Sequence, residues 1–202
     1  MSAVAVIGID PSLTRTGLAR LTVADPRHAA ASRAESPRWT AETVTRPSAG
    51  HTNDTVEQRN ARLGAIARDV VAWSTPATLV VIEGPSYGSA FAGAAWDRAG
   101  LWWHIVSRVI AHGVPVAVVP PRTRAKWVTG NGNADKRAVY DAVAQLWGGS
   151  WSPSRPGDDN EADALVLASM GVQWLTGALP IQPQPSRAPL ERCQWPMEET
   201  RC

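Results

Sequence analysis

Two hydrophobic periods alternate along the chain. Residues 3–9, AVAVIGI, form a short run rich in Val and Ile that is closed by Asp10-Pro11. This predicts a buried strand ending in a turn and leaves the Asp10 carboxylate at the strand's C-terminal edge. Residues 17–23 read as a returning strand, 25–37 as an exposed polar connection and 42–45 as a third strand, together an antiparallel meander. From Asn53 or Asp54 the period changes: Val56, Leu63, Ile66, Val70 and Trp73 recur at helical spacing, which predicts a first helix ending near Ser74. A strand over 78–82 then delivers Glu83 at its end. A helix over 89–111, a strand over 114–119 stopped by Pro120-Pro121, a helix over 133–146 and a last helix over 159–175 complete the pattern. Beyond Gly177 the sequence ALPIQPQPSRAPLERCQWP is rich in Pro and Gln and lacks a period. Residues 1–177 are therefore expected to form one α/β domain, and residues 178–202 a flexible or interaction tail.

Composition narrows the function without naming it. A chain of 202 residues suits one domain with one site. Lys and Arg number 20 against 18 Asp and Glu, so bulk charge says little and any nucleic-acid signal must be local. Arg122, Arg124, Lys126, Lys136 and Arg137 form such a local cluster. No apolar run approaches the roughly 20 residues that cross a bilayer, and the first strand starts without a basic leader, so a cytoplasmic protein with no membrane partner is expected. Cys193 and Cys202 lack any CxxC or Cys/His spacing, which argues against a zinc site or a disulfide framework. Most of the ten tryptophans sit at apolar helical positions, suited to core packing or a subunit interface.

The candidate chemistry lies in the carboxylates. Phosphodiester hydrolysis at neutral pH needs an activated water and a counter-charge for the leaving oxygen, and two divalent cations about 4 Å apart supply both. Such cations take hard oxygen ligands, so Mg²⁺ is the expected cofactor, with Mn²⁺ able to substitute. Asp10 and Glu83 each end a strand, and Asp163 lies on the last helix within DDNEADALVLA. These three acids meet if the strands are neighbours and the helix packs across them. Asp159 and Asn160 stand four and three residues before Asp163, so either shares its face as a further ligand. Asp158 or Asp159 serves equally well as a helix N-cap. Around the basic cluster, Gly130 and Gly132 allow close approach of backbone N–H groups to a phosphate, with Lys126 and Lys136 on either side. Thr14 and Arg15, directly after Asp10, are placed either to touch a nucleic-acid backbone or to be ordinary loop residues.

Four segments together resemble the successive motifs of the RuvC-like Holliday junction resolvases: GIDPSLTRTGLA at 8–19, VIEGPSYG at 81–88, KWVTGNGNADKRAV at 126–139 and EADALVLA at 161–168. Order and spacing agree, the match runs from Val4 to about Gly171, and it is most similar to the phage-borne branch. The most specific piece is GxGxAxK at Gly130, Gly132, Ala134 and Lys136. The resemblance implies an RNase H-like fold, a five-stranded mixed sheet flanked by helices, with Asp10, Glu83 and Asp163 at the metal-binding positions. It also implies a structure-selective endodeoxyribonuclease acting on four-way junctions and related branched DNA such as flaps. This chain departs from the family at Asn160, where an acid is usual, so either Asp159 substitutes or the second metal is held more weakly. Tyr87 is the aromatic nearest to the position that wedges against bases at the branch point.

Three other readings are set against this one. The actin and Hsp70 ATPase superfamily also follows its first strand with Asp and Gly, but it needs two such domains. A catalytically weak junction-binding protein would follow from Asn160, and a nuclease for flaps or RNA–DNA hybrids keeps the same fold. Two symmetric cuts with one acid set per chain imply a homodimer. The helix over 89–111 agrees, because its apolar residues, Phe91, Trp96, Trp102 and Trp103 among them, wrap wider than one face.

Overall fold

The computed structural model describes residues 3–24, 39–85 and 94–197. Its strands are β1 (Ala3–Asp10), β2 (Arg15–Ala24), β3 (Trp39–Pro47), β4 (Leu79–Glu83) and β5 (Val116–Val119). They form one sheet in the order β3-β2-β1-β4-β5. The β1–β2 and β2–β3 pairs are antiparallel, and the β1–β4 and β4–β5 pairs are parallel. The helices are α1 (Val56–Ser74), α2 (Ala95–Ala111), α3 (Pro121–Thr129), α4 (Lys136–Trp147) and α5 (Asp159–Thr176). This is the expected mixed sheet flanked by helices.

Strand alternation assigns every side chain to a face. Val4 and Val6 of β1, with Leu79 and Val81 of β4, join the core under α5, α4 and α3. Ile7, Ile9, Val80 and Ile82 join the other core, under α1 and α2. The period of two therefore sends Gly8 and Asp10 of β1, and Glu83 of β4, toward the α5 side.

α5 is buried on nearly all sides, from Glu161 to Gln173, which explains a helix apolar all round. It lies close on the sheet because β1 and β2 present glycines beneath it. A β-carbon at Gly8 would overlap the Ala164 carbonyl oxygen and lie 2.6 Å from Ala168 N, and one at Gly17 would overlap the Asn160 carbonyl. Leu165, Leu167 and Met170 are fully buried, so truncating any of them to Ala costs about 2–5 kcal/mol.

Several boundaries differ from the sequence pattern, each for a local reason. α1 starts after Thr55 rather than at 53 or 54, because Thr55 and Gln58 form a capping box while Asp54 closes a turn onto His51 N at 2.8 Å. α4 starts at Lys136, where the Asp135 carboxylate accepts from Ala138 N at 2.8 Å. Pro120-Pro121 ends β5 and also starts α3, a helix the pattern did not predict: Pro121 occupies the first helical position, where its missing N–H costs nothing. The predicted connection over 25–37, the start of the helix over 89–111, and Tyr87 and Phe91 lie outside the described residues. Within them α2 begins at Ala95, after Ala94 at φ 62°.

The tail expectation is corrected for residues 178–197. Leu179 and Leu190 are buried, residues 188–192 form a 3-10 turn, and Trp195 stacks on Trp174 at 4.8 Å. Gln194 exchanges two 2.9 Å backbone hydrogen bonds with Val118, at the edge of β5. Glutamine amides supply the pairing that the prolines cannot. Gln184 bonds Leu179 N and O, and Gln173 Nε2 donates to Pro185 O at 2.8 Å.

Candidate active site and nucleic-acid interface

The register of the sheet brings the first two acids together. Ile9 pairs with Ile82 across the parallel β1–β4 ladder, so Asp10 and Glu83 follow side by side at the C-terminal ends of the two strands. α5 crosses this end of the sheet and contributes Asp163, which is 5% exposed. Burial, and secondarily the charge of Glu83, raises the Asp10 carboxyl well above the ordinary carboxylate range, with Glu83 within hydrogen-bonding reach. Arg124 and Lys136 act in the opposite direction on the same group. The three acids predicted from sequence thus share one end of one face.

Arg124 is turned into this cluster. Its Nε donates to Glu83 Oε1 at 2.6 Å, and its Nη1 lies against Asp163 Oδ1 as an ion pair. The Arg124 side chain is 11% exposed, so the residue expected to contact DNA alongside Arg122 faces inward. α3 accounts for this: Arg122 and Lys126 are exposed on one side of the helix, while Thr123, Ala125 and Trp127 are buried. Three carboxylates with a neighbouring amide are the hard donor set a divalent cation takes. Among the described residues, however, no three ligands are gathered closely enough to hold a metal while Arg124 bridges Glu83 and Asp163.

At the start of α5 the alternatives separate. Asp158 is the N-cap, accepting from Asn160 N at 3.1 Å and Glu161 N at 3.3 Å, and it pairs with Arg15 at 3.6 Å. Asp159 pairs with Lys136 Nζ at 2.5 Å on the rim, and Asn160 Nδ2 reaches Asp158 Oδ1 at 3.4 Å. Glu161, a residue the sequence pattern did not single out, is fully buried and accepts from Thr43 Oγ1 at 2.5 Å, from Ser154 N at 3.0 Å and from Ser154 Oγ. Its charge is met by three donors, so it is part of the scaffold.

The other basic residues of the cluster line two separate concavities. Lys136, Arg137 and Tyr140 line one with Asp159, where Arg137 also pairs with Asp141 at 2.9 Å. Arg122, Lys126, Gly130 and Gly132 line the other, together with Ser186, Pro189 and Arg192 of the C-terminal segment. Gly130 stands at φ 79° as the C-cap of α3, and its N–H is committed to Lys126 O at 2.9 Å. Thr14 is exposed in a turn where its N donates to Ser12 Oγ at 3.3 Å.

No family model and no curated protein matches the sequence. Solved structures do match the fold. A Thermus thermophilus RuvC structure aligns at 21% identity and TM-score 0.59, over 90% of this chain and 99% of that one. T. thermophilus RuvC in complex with Holliday junction substrate aligns at 18% identity and TM-score 0.56, over 91% and 99%. The yeast mitochondrial Holliday junction resolvase Ydc2 aligns at 12% identity and TM-score 0.52, over 94% and 82%. The architecture is therefore the RNase H-like fold of these proteins.

Proposed function

We propose that this chain is a divalent-metal-dependent endodeoxyribonuclease that resolves four-way DNA junctions. The observation that carries this reading is the convergence of Asp10, Glu83 and Asp163 at one end of the β1–β4 ladder, on the fold of known junction resolvases. Asp10, Glu83 and Asp163 hold the cation, with Asp159 or Asn160 at the margin. Bound Mg²⁺ or Mn²⁺, with two ions completing the site, supplies an activated water and charge for the leaving oxygen. Lys126 and Lys136 neutralise phosphates on either side of the acids, and Arg122, Arg137, Thr14, Arg15, Gly130 and Gly132 shape the path of the backbone. Tyr87 is assigned to the bases at the branch.

The second cut requires a second acid set, and α2 carries the surface for a homodimer. Trp96, Trp103 and Ile110 recur every seven residues and are 87%, 61% and 58% exposed. An exposed stripe of large apolar side chains on a helix suits an interface core. Trp102, by contrast, turns inward and donates from Nε1 to Glu83 O at 2.9 Å, tying the helix to the acid-bearing strand end. The test is cleavage of a labelled panel comprising a four-way junction, a flap, a duplex and an RNA–DNA hybrid, with magnesium and with chelator. Selective, magnesium-dependent cutting of the junction is expected. Preference for the flap or the hybrid would transfer the site to a different substrate.

No helix among the described residues is long and apolar enough to cross a membrane.

A further inference from the structure

We propose that Arg124 is a built-in counter-ion of the acid cluster, one that holds Glu83 and Asp163 together before a divalent cation binds and must leave them when it does. The inference rests on the nuclease reading of these acids and adds a competition inside the site.

The geometry supplies the argument. Arg124 reaches two of the three proposed metal ligands at once, Glu83 through Nε at 2.6 Å and Asp163 through Nη1. All three side chains are largely removed from water, at 11%, 16% and 7% exposure for Arg124, Glu83 and Asp163. Carboxylates crowded in such a place repel one another unless a cation stands among them, and the planar guanidinium fork spans two where an ammonium meets one. A divalent cation on the same oxygens would bring a second positive charge against the guanidinium, so the two cannot share the ligands without loss.

A purely structural ion pair and a competing counter-ion predict opposite results when the charge is removed. Calcium chloride is titrated into the metal-free full-length protein by calorimetry, without DNA, for the wild type, Arg124→Gln and Arg124→Lys. The counter-ion predicts at least tenfold tighter calcium binding in Arg124→Gln, a lower Tm without calcium, and recovery of that Tm at calcium concentrations that leave the wild type unmoved. Arg124→Lys, which keeps the positive charge but whose ammonium meets one carboxylate, should bind calcium with an affinity between those of wild type and Arg124→Gln. Unchanged or weaker calcium binding in Arg124→Gln overturns the proposal, as does equal tightening in Arg124→Lys. Failure of junction cleavage alongside tightened calcium binding would strike the nuclease reading alone. Junction cleavage with unchanged calcium affinity would strike this inference alone.

Discussion

Ile9 stands opposite Ile82 in the parallel pairing of β1 with β4, and that one register places the Asp10 carboxyl beside Glu83. A shift of one residue in either strand would send one acid to the opposite face, into the apolar layer under α1 and α2. The proximity has a measurable cost. Because burial and Glu83 raise the Asp10 carboxyl, the folded metal-free protein retains a proton that the unfolded chain has already lost. Stability therefore falls as pH rises from the ordinary carboxylate range through the raised value, and the penalty is complete above it. Asp10→Asn removes the penalty. In chelator at pH 8 its Tm should exceed that of wild type, and the gap should close as the pH falls into the ordinary carboxylate range. A pH-independent difference would contradict the electrostatic origin.

Lys126 and Lys136 line different concavities, and both are expected to contact phosphates of the bound strand. Lys126→Ala and Lys136→Ala should each flatten the dependence of log binding on log salt by about one unit. Lys136 has a second partner in Asp159, at 2.5 Å. Asp159→Asn is accordingly expected to lower cleavage more than Asn160→Ala, measured as single-turnover rates.

The stripe of Trp96, Trp103 and Ile110 should be covered in solution. Light scattering at micromolar concentration is expected to give the mass of two chains, and Trp96→Lys with Trp103→Lys the mass of one. A single-chain mass for the wild type, unchanged by junction DNA, would contradict the dimer.

The segment after Gly177 should be an integral layer of the domain. Losing the burial of Leu179 and Leu190 removes roughly 4 kcal/mol, so truncation after Gly177 should lower Tm by on the order of 10 °C. Burial pushes the Cys193 thiol up to about 12, and alkylation at pH 8 should accordingly be slow. Trp195→Ala, which removes the stack on Trp174, should speed labelling of Cys193 as mapped by peptide mass.

What was legible in the sequence followed from short-range rules. Alternation through Val4, Val6, Ile7 and Ile9 defined β1 and sent Asp10 to the α5 side, and the uninterrupted run after Asp163 marked a buried helix. What was not legible depended on contacts distant in sequence. Pro120-Pro121 signals a stop and a helix start equally, so α3 was missed, and with it the side of the helix from which Arg124 points inward. The packing of residues 178–197 was hidden because Pro and Gln lack a period, while Gln184 and Gln173 acquire their bonding roles only once the segment lies against the domain. Glu161 was passed over because its three donors come from β3 and a loop that no local pattern connects to α5.

The most direct test of the central claim is single-turnover cleavage of a labelled four-way junction at saturating enzyme, for wild type, Asp10→Asn, Glu83→Gln and Asp163→Asn, with junction binding measured in parallel. Paired nicks that require magnesium are expected from wild type, with a loss of roughly 10³-fold in each variant at nearly unchanged binding. Near-normal cutting by Asp10→Asn, or junction cutting by wild type that persists in chelator, would contradict the account.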